Sequence, residues 1–63
     1  MPEAGDRVRV KYRDGRLIEG TLLDMRVTIF PYIHALIKLD NGNELDICIN
    51  DINVEYIEEV EGD

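Results

Sequence analysis

Seven consecutive residues, Arg7-Val8-Arg9-Val10-Lys11-Tyr12-Arg13, alternate a cation with an apolar side chain. A helix cannot honour that order, because its 3.6-residue period would scatter Val8, Val10 and Tyr12 around the axis. An extended strand puts the three on one face and the four cations on the other. The same period of two returns downstream. Residues 17–24 read as a second strand with Ile18, Gly20 and Leu22 inward, and residues 33–39 as a third with Ile33, Ala35, Ile37 and Leu39 inward. Residues 44–49 form a fourth, with Leu45, Ile47 and Ile49 inward, and residues 54–57 a short fifth. Asp14-Gly15 and Asp40-Asn41-Gly42-Asn43 supply the turns, since glycine enters positive φ without a Cβ clash. Residues 50–53 read as a polar turn with room for one turn of 3₁₀ helix. Gly20 inside a strand predicts a bend there.

Matching the apolar faces predicts the pairing. In the third and fourth strands Leu39 should face Leu45, Ile37 Ile47 and Lys38 Asp46, across a three-residue loop. That register sets Leu36 opposite Cys48 and leaves His34 diagonal to it. In the first two strands Lys11 should face Glu19.

Five short strands joined by tight turns, with no helix of any length, predict an all-β fold, a small five-stranded barrel of SH3-like or Sm-like type. Residues 1–63 are expected to be a single domain, with the barrel over 5–58 and 59–63 as an acidic, frayed tail. A chain of 63 residues buries only about 60% of the surface its unfolded form exposes. Its single cysteine, Cys48, offers no internal disulfide, so self-association into a homo-oligomer is an expectation on stability grounds. No apolar run approaches the roughly 20 residues of a membrane span, and no signal-like leader opens the sequence. Cytoplasmic residence is the corresponding expectation.

Charge is unevenly spread. Fourteen acids against seven Lys and Arg give a net charge of −7, which argues against non-specific nucleic-acid binding. Residues 1–32 nevertheless hold six of the seven cations, and Arg7, Arg9, Lys11 and Arg13 form a stripe that could follow a phosphate backbone or an acidic partner. If the last strand pairs with the first, Glu55 and its neighbours would instead meet that stripe in exposed ion pairs.

One segment breaks the alternation: Val27-Thr28-Ile29-Phe30-Pro31-Tyr32-Ile33. Pro31 has no N–H to give a ladder, so the segment reads as a loop or an edge. Its apolar side chains either plug the open end of the barrel or meet a protein partner. For the second role Val27, Ile29, Phe30, Pro31 and Tyr32 are the candidate contact residues, with the two aromatics as anchors.

Reaction chemistry is sparse. Serine is absent, and His34 and Cys48 make the one nucleophile-and-base combination. A diagonal placement on a sheet surface, roughly 7–8 Å apart at Cα, gives neither the contact nor the cleft that a dyad needs. With no second histidine, no Cys-x-x-Cys and no glycine-rich phosphate loop, neither a metal nor an organic cofactor is expected. Asp40-Asn41-Gly42-Asn43-Glu44 lacks the ligand spacing of a calcium loop.

Two resemblances add to this. Gly5-Asp6-Arg7-Val8-Arg9-Val10, Glu19-Gly20, and Ile37-Lys38-Leu39-Asp40-Asn41-Gly42 followed by Asp46-Ile47 resemble a known barrel over residues 5–58. It is the N-terminal small β-barrel in the asparaginase-like component of the archaeal glutamyl-tRNA(Gln) amidotransferases. In that family the barrel is an accessory to the catalytic domain, so the resemblance implies an accessory role near translation and carries no catalytic residue with it. Residues 8–23, with Asp14-Gly15-Arg16 and Gly20-Thr21-Leu22, are similar to the first motif of Sm and Sm-like RNA-binding proteins. Ile49-Asn50-Asp51-Ile52 with Tyr56-Ile57 is similar in spacing to the second. The apolar 29–32 segment stands where that family carries its RNA-contacting Asp and Asn, and Asn50-Asp51 where it has Arg-Gly. The second likeness therefore implies a barrel, with weak RNA binding by an oligomer as the alternative function. The leading expectation is a non-enzymatic adaptor acting through protein–protein contacts, with translation or RNA-related machinery as its setting.

Overall fold

A computed structural model describes residues 2–61. The chain forms five strands, β1 (Arg7–Tyr12), β2 (Leu17–Ile29), β3 (Tyr32–Leu39), β4 (Glu44–Cys48) and β5 (Val54–Glu59), and no helix among the described residues. They make one antiparallel sheet in the order β4-β3-β2-β1-β5. Its edges, β4 and β5, do not pair with each other, so the hydrogen-bonded ladder does not close into a ring. The apolar alternation falls on one side as expected. Val8, Val10, Leu22, Ala35, Ile37, Ile47 and Val54 are buried, and Tyr12, Ile18, Met25, Leu39, Leu45, Ile49 and Ile57 pack against them. Burial of a side chain such as Leu22 or Ile37 contributes about 1.5–3 kcal/mol.

The faces agree with the sequence, but both hairpin registers differ from it by two residues. Lys11 pairs with Leu17 and Arg9 with Glu19. Likewise Lys38 pairs with Glu44, Leu36 with Asp46, Ile37 with Leu45 and Ala35 with Ile47. The cause is common to both turns. Tyr12 N–H donates to Arg16 C=O and Gly15 N–H to Tyr12 C=O, at 2.9 and 3.0 Å, with Gly15 at φ +95°. Leu39 N–H donates to Asn43 C=O and Gly42 N–H to Leu39 C=O, at 2.7 and 2.9 Å, with Gly42 at φ +91°. Each loop has three residues and ends on a left-handed glycine. The glycine fixes the last loop position, and moving a turn by one residue slides the register by two. Side chains keep their faces while every cross-strand partner changes.

β2 is the larger surprise. It runs on to Ile29, beyond the expected end near Asp24, with irregularities at Leu23 and Thr28 where one extra residue faces β3. Gly20 marks a close approach: a Cβ there would lie 2.3 Å from the Lys38 carbonyl oxygen. Residues 50–53 form turns and bends with no 3₁₀ helix. The strand β5 extends through Glu59, and Val60 N–H donates to Arg7 C=O at 2.8 Å, so the ordered ladder reaches into the stretch read as a frayed tail. The remainder of that tail, residues 62 and 63, lies outside the described residues.

Candidate functional site

β1 pairs with residues 17–21 of β2, while β3 follows β2 as far as Ile29. The distal part of the β2–β3 hairpin therefore projects past β1, with Phe30 and Pro31 at its turn; the Phe30–Pro31 peptide is cis. Of the two expectations, loop or edge, the segment is an edge with a tight turn, and it does not plug the core: Val27 to Tyr32 are exposed and Ile33 is half-buried. Relative exposure is 56% for Val27, 72% for Ile29, 86% for Phe30 and 50% for Tyr32. All five candidate contact residues, Pro31 included, are exposed and sit together on this tip.

The tip is held by a residue that the sequence marked only as part of a polar turn and of the Sm-like spacing. Asn50, just after β4, donates from Nδ2 to the Pro31 carbonyl at 2.8 Å and accepts the Ile33 N–H on Oδ1 at 2.9 Å. Its side chain thus acts as a short piece of β-strand beside β3, in the manner of Asn side chains that replace backbone partners in turns. The Cys48 thiol lies 3.4 Å from the same Oδ1. At the hairpin's base, Asp46 accepts from Arg26 Nη2 at 3.1 Å and lies 3.0 Å from His34 Nδ1, while Arg26 is 3.7 Å from Asp24.

The register change puts His34 directly opposite Cys48 and not diagonal to it. Even so, His34 is engaged with Asp46 and Cys48 with Asn50. Among the described residues no three His, Cys, Asp or Glu side chains gather as metal ligands do.

The cation stripe is largely paired. Arg7 makes a bidentate contact with Asp40, Nη1 to Oδ1 at 2.6 Å and Nη2 to Oδ2 at 2.8 Å. This hydrogen bonding, with the charge attraction behind it, raises the Arg7 pKa and holds the Asp40 carboxyl below the ordinary range. Arg9 bonds Glu19 at 2.9–3.0 Å and Glu58 at 3.2 Å, chiefly the Glu19 hydrogen bond raising its pKa. Lys11 lies 3.8 Å from Glu55 on β5. Arg13 differs: its Nε donates to the Ile52 carbonyl at 2.8 Å, and it has no carboxylate partner among the described residues.

Comparison with models of protein families, with curated proteins and with solved structures finds no match.

Proposed function

We propose that this chain is a non-enzymatic binding module of the small β-barrel kind, docking onto a protein partner through the tip of its β2–β3 hairpin. One observation carries the reading: Val27, Ile29, Phe30 and Tyr32 are each at least half exposed on a seven-residue segment that holds no charge, in a chain that is 33% charged. Such clusters are uncommon on a monomer's surface unless something covers them. Asn50 ties the tip to the body of the sheet, which lowers the ordering cost of docking. At the hairpin's base Arg26 is shared by two carboxylates, Asp24 and Asp46, which leaves an excess of one acid there in a chain of net charge −7. The fitting partner surface is an apolar groove with a basic rim. Cationic faces of translation or RNA-handling assemblies have that character, in keeping with the accessory role that the amidotransferase resemblance implies. The antiparallel order β4-β3-β2-β1-β5 around one core supports a partly open barrel as the scaffold.

The test is affinity capture with the whole chain, comparing wild type with Phe30→Ser and Tyr32→Ser. Partners that depend on the tip should be lost from both variants while each keeps its β-sheet circular dichroism. A partner set unchanged in the variants would rule the tip out. Light scattering on the same samples separates docking to another protein from docking to a second copy.

A further inference from the structure

At the opposite end of β1 from the Arg7–Asp40 pair, a pocket of about 270 Å³ is lined by Tyr12, Arg13, Asp14, Arg16 and Asn53. The β1–β2 turn forms one wall and the end of the β4–β5 loop the other. The walls are fastened twice: Arg13 N–H donates to Asn53 C=O at 2.9 Å, and Arg13 Nε to Ile52 C=O at 2.8 Å. Arg16 is fixed in a similar way, its Nε donating to Asp14 Oδ2 at 2.9 Å and its guanidinium carbon 4.5 Å from the Tyr12 ring centroid. Both arginines are thus held through Nε. Among the described residues no hydrogen bond engages the terminal nitrogens of either.

Asp14 is the one acid in the lining, and it is committed locally. Its Oδ1 accepts the Arg16 N–H at 3.0 Å and its Oδ2 the Arg16 Nε. The backbone N–H of Arg16, with its guanidinium behind, keeps this carboxyl below the usual range and therefore charged. Two guanidinium groups against one carboxylate give the lining itself a net positive charge inside an acidic protein. Arg13 supplies the excess. Asp51, outside the lining, is turned to the backbone, its Oδ1 accepting the Asn53 N–H at 2.9 Å.

We propose that this pocket binds a small phosphate monoester. Two guanidinium forks offer more N–H groups than the two oxygens of a carboxylate can accept, and the three terminal oxygens of a phosphate dianion match them better. The Nε anchors have already restricted both side chains, so less rotamer freedom is lost on binding. Asn53 adds an amide at the rim. The site lies on the β1–β2 turn and not on the hairpin tip, so it stands or falls independently of the docking surface.

The experiment is an amide NMR titration of the full chain with methyl phosphate at fixed ionic strength, with acetate as comparator. The proposal expects saturable shifts centred on residues 12–16 and 53. Affinity should fall about tenfold or more in Arg13→Ala and in Arg16→Ala, the effect of losing charge-assisted hydrogen bonds. It should be unchanged in Lys38→Ala, which removes a cation outside the pocket, and in Phe30→Ser. Acetate should bind about tenfold more weakly. Arg16→Ala leaves the Arg13–Ile52 fastening in place, so it decides the matter if Arg13→Ala does not fold. Non-saturating shifts spread over all the cations, equal affinity in the arginine variants, or acetate binding as well as methyl phosphate would each overturn the proposal.

Discussion

Replacing Gly20 by alanine should be the most damaging single-methyl change in this chain. A Cβ at position 20 would stand 2.3 Å from the Lys38 carbonyl oxygen, 2.8 Å from Ile37 Cγ2 and 3.0 Å from the Lys38 carbonyl carbon. The shortest of these is roughly 1 Å inside ordinary contact. Neither neighbour can yield easily. The carbonyl belongs to β3, which pairs with β2 there, and Ile37 is fully buried in the core. Relief therefore requires β2 and β3 to separate locally. Overpacking of a core costs about 1–3 kcal/mol, and an obstacle made of backbone places the cost near the top of that range, about 3 kcal/mol. A domain of 63 residues has roughly 3–9 kcal/mol of total stability, so the loss is a third of it or more. With an m-value of about 1 kcal/mol/M in urea, the midpoint should fall by about 3 M, or the variant should be unfolded in buffer. Gly15 and Gly42 are the controls. Both have positive φ but nothing within 4 Å of an added Cβ, so alanine there should cost only about 1–2 kcal/mol of left-handed strain. A Gly20→Ala midpoint within about 0.5 M of wild type, or above that of Gly42→Ala, would refute the steric argument.

Three further outcomes are expected. Asn50→Ala should free the hairpin tip without unfolding the sheet: amide exchange at Ile33 should quicken, and global stability should drop by about 1–2 kcal/mol for the two lost hydrogen bonds. Unchanged exchange at Ile33 would count against the clamp. Phe30→Ser should leave the stability in urea within about 0.5 kcal/mol of wild type, because an 86%-exposed ring contributes little to the core; a larger loss would mean that the tip packs after all. Asp40 has its folded pKa depressed by Arg7, so the stabilisation is present above the unfolded carboxylate pKa and is lost as pH falls through the lower folded value. NMR titration should find Asp40 ionising below the usual carboxylate range in wild type and within it in Arg7→Ala.

Strand number, core composition and the side on which each side chain falls were readable because they depend only on a period of two, which no register slip by two can disturb. The partners were not readable from apolar matching alone. Both Lys11–Glu19 and Lys38–Asp46 satisfy the faces, yet the glycine-terminated loops select Arg9–Glu19 and Lys38–Glu44. The position of Gly15 and Gly42 at the left-handed end of a three-residue loop was the signal that could have decided it. β2's length was hidden differently. Val27 to Ile29 looked like a loop because Pro31 follows, but Pro31 falls in the turn itself, where its missing N–H costs the ladder nothing. Asn50 could not be found locally, since its partners at Pro31 and Ile33 are 19 and 17 residues away.

The distribution of charge supports the proposal that contact is made through the tip and not through a sheet edge. Open edges invite pairing between copies, and the two outermost strands carry acids and no Lys or Arg: Glu44 and Asp46 on β4, and Glu55, Glu58 and Glu59 on β5. Bringing either edge of one copy against either edge of another sets like charges together, which opposes sheet extension. Part of this is offset within one copy, Glu58 by Arg9, Glu55 by Lys11 and Asp46 by Arg26, while Glu44 and Glu59 have no cationic partner among the described residues. A partner with a basic face meets the reverse situation. It is drawn toward the acidic edges over several ångströms, while the gain on contact comes from covering Ile29 and Phe30, each worth about 1.5–3 kcal/mol when fully buried. Raising salt should therefore slow such an association while leaving its dissociation nearly constant, whereas Phe30→Ser should act chiefly on dissociation.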